Sequence, residues 1–144
     1  MEFRGEKHRQ IFQNYIRRQK HRPSAHHLAA VYLLTADKTL WKQVRGAFRD
    51  GKADLSAVHL CGIQPDAYAL FRAAKELLTG EPMVGLSELA ERDIIRPWVL
   101  NLIFQTILLS RGERSGVLVK ANGIRYRHLF YGICKGLIRS FVCV

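Results

Sequence analysis

The residue types here with the most chemistry available to them are six histidines, His8, His21, His26, His27, His59 and His128, and three cysteines, Cys61, Cys134 and Cys143. A zinc ion needs ligands at i and i+4 on one helix face, or paired C-x-x-C knuckles. Neither spacing occurs. His26 and His27 are adjacent, so on a helix their side chains point about 100° apart, and both are expected at the surface or a helix cap rather than around a metal. An odd number of cysteines without C-x-x-C suggests reduced thiols in a cytosol and no disulfide framework. The chain has no G-x-S-x-G elbow, no P-loop, no G-x-G-x-x-G and no H-E-x-x-H. The expectation is a cytoplasmic protein with no catalytic residue, no cofactor and no metal, acting by binding.

The charge pattern says what it would bind. The 144 residues carry a formal net charge of +11, from 23 Lys and Arg against 12 Asp and Glu. Residues 1–24 hold seven basic and two acidic groups, and residues 101–144 hold seven and one; residues 51–100 hold five and seven. Positive charge therefore gathers at both ends, where its field attracts nucleic acid, a nucleoprotein, an anionic lipid surface or an acidic protein face. The nucleic-acid candidates at the N-terminal end are Arg9, Arg17, Arg18, Lys20 and Arg22; at the C-terminal end they are Arg125, Arg127, Lys135 and Arg139. Arginine and lysine on a polar helix face contact phosphates without reading sequence, and the released counterions make such binding steeply salt dependent. A solvated helix face has the same composition. In the C-terminal segment Tyr126, Phe130, Tyr131 and Phe141 are interleaved with the cations, which also suits single-stranded nucleic acid, a membrane surface, or a closing hairpin or helix packed on the core.

Helical spacing positions these groups. Over 2–20, Ile11, Phe12, Tyr15 and Ile16 share one face and the cations the other. Pro23-Ser24 ends that helix, and Ser24 caps a second over 25–35 that is apolar almost all round and belongs at the centre. Asp37 caps a third carrying Leu40, Trp41, Val44 and Phe48, with Gly51 beyond its end. Residues 52–64 read as an irregular link or short strand. Pro65 opens a fourth helix that stops at Gly80. Ser87 is the expected cap of a short fifth helix, Glu88–Arg92, and Asp93 that of a sixth, with Pro97 in its first turns and Trp98, Val99, Leu102, Ile103, Ile107 and Leu108 making it the most buried. That apolar surface argues against a helix-turn-helix, whose recognition helix must offer polar groups to the major groove. Asn122-Gly123 suits a C-terminal hairpin, followed by a glycine-weakened helix over 128–142. The most apolar stretch, Trp98 to Leu109, falls short of the roughly 20 residues of a membrane span. The charged start, Met1-Glu2-Phe3-Arg4, lacks the apolar stretch of a secretory signal.

The stretch His27-Leu28-Ala29-Ala30-Val31-Tyr32-Leu33-Leu34-Thr35-Ala36-Asp37, with Leu40-Trp41, Gly62-Ile63, Asp66-Ala67-Tyr68-Ala69-Leu70, Ala74-Lys75, Thr79-Gly80 and Leu86-Ser87-Glu88-Leu89-Ala90, resembles an uncharacterised family of small helical proteins, a domain of unknown function. The family is associated with clostridial bacteria and their mobile elements. The resemblance covers about residues 8–110 and rests on packing and capping residues, so it implies a fold and carries over no activity. A mobile-element setting implies an accessory that handles nucleic acid, or an inhibitor that binds a host defence complex.

The expected architecture is all-α: a single compact domain of five to seven helices, with a helical core over 1–110, a basic extension over 111–144, and room for a short C-terminal β-hairpin. The expected function is non-enzymatic binding of nucleic acid or nucleoprotein through the basic ends. The alternatives are a protein-binding regulator that engages an acidic protein surface, and membrane-surface binding through the C-terminal segment.

Overall fold

Local signals set the helix boundaries, and one helix with no polar face sets the arrangement. The computed structural model describes residues 2–49 and 51–111. Six α-helices follow in order: α1 (Glu6–Arg17), α2 (Ala25–Thr35), α3 (Lys38–Val44), α4 (Pro65–Thr79), α5 (Leu86–Ala90) and α6 (Pro97–Ser110). Between α3 and α4 stand a 3₁₀ turn, Arg45–Ala47, and two short antiparallel strands, β1 (Phe48–Arg49) and β2 (Lys52–Ala53). The domain is all-α with one small hairpin.

Ser24 Oγ accepts the His27 N–H at 3.2 Å, and Asp37 Oδ1 accepts the Leu40 N–H at 2.8 Å, so two of the expected caps hold. Pro65 and Pro97 each occupy a first helical position, where a missing N–H leaves no hydrogen bond unmade. Gly80 ends α4 with φ +75°, a left-handed cap that glycine adopts without Cβ strain, and its N–H reaches Glu76 O at 2.7 Å.

Every residue of α2 from Ala29 to Thr35 is buried, and so is Ala36, which caps its end. A helix apolar on all sides must be covered on all sides, and α4 and α6 are packed most extensively on it, with α1 and α3 completing the enclosure. Small side chains, Ala29 and Ala30 on α2 and Ala67, Ala73 and Ala74 on α4, are buried at this centre.

Several sequence expectations are corrected. The first helix spans Glu6–Arg17, shorter than 2–20. Phe48 lies in β1 and not on α3, because the chain tightens into the 3₁₀ turn after Val44. Ser87 lies inside α5, whose cap is Gly85, and Arg96 rather than Asp93 caps α6. The most buried helix is α2, not α6: Phe104 and Ile107 on α6 are 52% and 40% exposed, while Gln105 and Thr106 are buried. The expected C-terminal hairpin and the helix over 128–142 lie outside the described residues.

Polar latches hold the surface segments. Gln43 pairs both ways with the Cys61 peptide, Nε2 to O at 2.8 Å and Oε1 to N at 2.9 Å, which fastens the 54–64 link to α3. Arg96 pairs with the buried Asp66 carboxylate and so ties the first turns of α4 and α6 together. Arg72 bonds the Met83 carbonyl and pairs with Glu88 at 2.6 Å. Glu76 Oε2 accepts the N–H groups of Met83 and Val84, each at 2.9 Å. Glu76→Ala leaves both donors without an acceptor, at an expected cost of about 1–2 kcal/mol. Amide exchange at Met83 and Val84 should accelerate in this variant, and protection equal to wild type would refute the latch.

Candidate nucleic-acid interface

The polar face of α1 is displayed because two aromatic clusters grip its other face. At the N-terminal end, Phe3, His8, Phe12 and Tyr32 interlock with ring centroids 4.9 to 5.9 Å apart. The Arg4 N–H donates to His8 Nδ1 at 3.1 Å, so the ring proton sits on Nε2, which donates to the Tyr32 carbonyl at 2.8 Å. Burial, against the pull of that carbonyl bond and with help from the Arg4 charge, lowers His8 to about 4. At the C-terminal end, Tyr15 stacks on His27 and meets Trp41 and Phe48 edge-on. Tyr15 Oη and His27 Nε2 are 2.5 Å apart.

This tyrosine–histidine pair has the partners of an acid–base site but the opposite tuning. Burial raises Tyr15 to about 12 and lowers His27 below its ordinary value. Both shifts move away from neutrality, whereas acid–base catalysis requires values near the working pH. The two rings also pack on their neighbours, Tyr15 on Trp41 and Phe48 and His27 on Phe48. Of the two places expected for His26 and His27, His27 takes the helix cap, its N–H bonded to Ser24, with its ring buried, and His26 takes the surface. Among the described residues, no three or more His, Cys, Asp or Glu groups are placed to hold a metal.

Arg9, Arg17, Arg18, Lys20 and Arg22 are all exposed. Arg9 pairs with Glu6 at 3.5 Å; the other four have no acidic partner among the described residues. Arg17 and Arg18 stand at the C-terminal end of α1, where the helix dipole favours cations. Arg125, Arg127, Lys135 and Arg139 lie outside the described residues. Arg4 is used internally: its guanidinium lies 3.9 Å over the Trp98 ring and its Nη1 donates to Ala36 O at 3.3 Å.

Sequence reading passed over five further exposed cations, Lys38, Lys42, Arg45, Arg49 and Lys52, on α3 and the hairpin. An open groove of about 530 Å³ lies beside them, lined by Gly46, Ala47, Arg49, Lys52 and Asp54. Their signal is the Lys38, Lys42, Arg45 spacing, which puts three cations on one side of a single helix and its continuation. No helix among the described residues is long and apolar enough to cross a membrane. No family model, no curated protein and no solved structure matches this chain.

Proposed function

We propose that the protein binds nucleic acid or a nucleoprotein through phosphate contacts made by the basic face that begins on α1. The observation that carries this reading is the run Arg17, Arg18, Lys20 and Arg22: four exposed cations within six residues, none with an acidic partner among the described residues. Such a cluster repels itself, and a row of phosphates relieves that repulsion while releasing counterions. The contacts are to the backbone, so binding is sequence independent. Mobile-element accessory work of this kind needs no catalytic group.

Binding of a labelled DNA duplex, followed by anisotropy across a salt series, tests the reading. Each phosphate neutralised adds about 0.9 to the steepness of log K against log salt, so four contacts give a slope of about −3.6 and a loss on the order of 100-fold between about 50 and about 200 mM salt. Arg17→Gln with Arg18→Gln should remove nearly two units of that slope. Wild-type binding no stronger than that of a neutral control protein at low salt would overturn the proposal.

A further inference from the structure

We infer that the nucleic-acid surface has a second half, built from α3 and the β1–β2 hairpin, in which Arg49 and Lys52 grip the phosphate backbone of a duplex beside the α1 cations. The inference rests on the nucleic-acid reading above and assigns the site its geometry.

The aromatic cluster brings the two halves together. Tyr15 of α1 lies 5.6 Å from the Trp41 ring of α3 and 6.0 Å from the Phe48 ring of β1. The ring contacts hold α1, α3 and β1 together, and Arg18, Lys42 and Arg49, each exposed, stand within three residues of a clustered ring on those segments. Along α3, a rise of about 1.5 Å per residue spreads Lys38, Lys42 and Arg45 over about 10 Å. All three are exposed.

The hairpin carries the sharper argument. Phe48 pairs with Ala53 and Arg49 with Lys52. Successive residues of a strand point to opposite faces, so the face that does not pack presents two cations directly across from each other. Like charges in that relation destabilise a two-stranded ribbon, and this ribbon has only one other pair to hold it. Neither cation has an ion-pair partner among the described residues. Of the described acids nearby, Asp37 caps α3, and Asp54, which also lines the groove, accepts the Ser56 N–H at 3.0 Å and the Ser56 hydroxyl at 2.5 Å. A doubly charged, self-repelling pair at the edge of an open groove suits a bridging phosphate. The aromatic rings nearby are occupied by one another, so no stacking platform is offered to unpaired bases and a duplex backbone is the matching ligand.

The test uses the 144-residue protein and a labelled duplex of about 20 base pairs in the same salt series. Arg49→Gln with Lys52→Gln should lower the salt slope by nearly two and weaken binding at least tenfold at low salt. Lys52→Glu provides the second arm: it turns the repelling pair into an attracting one, so thermal stability should hold or rise while duplex binding falls further than with glutamine. A merely structural hairpin would not separate those two readouts. Wild-type slope and affinity in both hairpin variants, with the Arg17/Arg18 variant still impaired, would overturn the second half of the surface and leave the function standing. Loss of binding to anionic vesicles, with duplex binding untouched, would also overturn it and assign the hairpin to membranes. Failure of the wild-type protein to bind duplex in a salt-dependent way would remove the function and this inference together.

Discussion

Tyr32→Ala should lower the free energy of unfolding by about 4 kcal/mol, and Tyr32→Phe by about 1–2 kcal/mol. Tyr32 is fully buried in the central helix, and its ring touches Phe3, His8 and Phe12. Removing that ring empties a site bounded by three elements, so collapse around it requires each to move, and the cavity term adds to the lost transfer energy. The hydroxyl has a separate role. It bonds the Glu2 carbonyl and lies 3.2 Å from Gln105 Oε1, which also accepts the Glu2 N–H at 2.6 Å. Phenylalanine keeps the packing and leaves Glu2 O short of a donor, while Gln105 retains its backbone bond. Domains of this size are stable by about 5–15 kcal/mol, so the alanine variant stands near the edge of folding. Urea denaturation of both variants at neutral pH measures the two terms. A loss under about 1 kcal/mol for Tyr32→Ala would mean that the ring is not the keystone between α2 and the N-terminal segment.

Much of this arrangement was legible where a cap and an apolar run agreed. Ser24 before the run from Leu28 to Leu34 located α2 and its central place, and Pro65 with Gly80 bracketed α4 to the residue. Where signals depended on tertiary partners, they misled. Leu40, Val44 and Phe48 keep helical spacing, yet Phe48 belongs to a strand. The Asp50-Gly51 dipeptide between Arg49 and Lys52 is a hairpin signal, but strands of two residues are too short to show a period of two. In α6 apolar residues occur all round, so periodicity cannot say which side faces inward; packing buries Val99, Leu102 and Ile103 and leaves Phe104 and Ile107 outside.

The candidate site divides the same way. Of the N-terminal cations, Arg9 and Arg17 follow from the period of α1, whereas Arg18 caps that helix and Lys20 and Arg22 lie beyond its end, not on its face as the longer expected helix had placed them. The cations of α3 and the hairpin lie between the two charged ends of the chain, and the Tyr15–Trp41 contact that joins their segment to α1 spans two helices and leaves no periodic trace in the sequence. His27 stands in the capped first turn of α2 as expected, but its burial comes from Tyr15 and Phe48, which no local signal announces.

His8 gives the protein a defined acid sensitivity. Its neutral ring accepts the Arg4 N–H on Nδ1 and donates from Nε2 to Tyr32 O, so a second proton would remove the Arg4 bond and bury a charge beside the Arg4 guanidinium. The group is lowered from 6.5 to about 4 on folding. Above pH 6.5 it is neutral in both states and contributes no pH dependence. As the pH falls below that value the unfolded chain takes up a proton that the folded chain refuses, so stability falls with falling pH. The loss levels off near pH 4, where the folded form also protonates, and amounts to about 3 kcal/mol at about 1.36 kcal/mol per unit. His27, also lowered by burial, adds a term of the same sign. Asp54 is lowered as well, so its loss comes below the ordinary carboxylate value and outside this window. Urea denaturation at about pH 7.5, 5.5 and 4.5 should therefore show midpoints dropping steeply, well before the carboxylates titrate. In His8→Gln, an amide offers one donor and one acceptor without titrating, so most of the slope should disappear and only the His27 share remain. A slope in His8→Gln equal to wild type would show that the folded His8 ring takes up its second proton as readily as the unfolded one, contrary to the hydrogen bonds that hold it neutral.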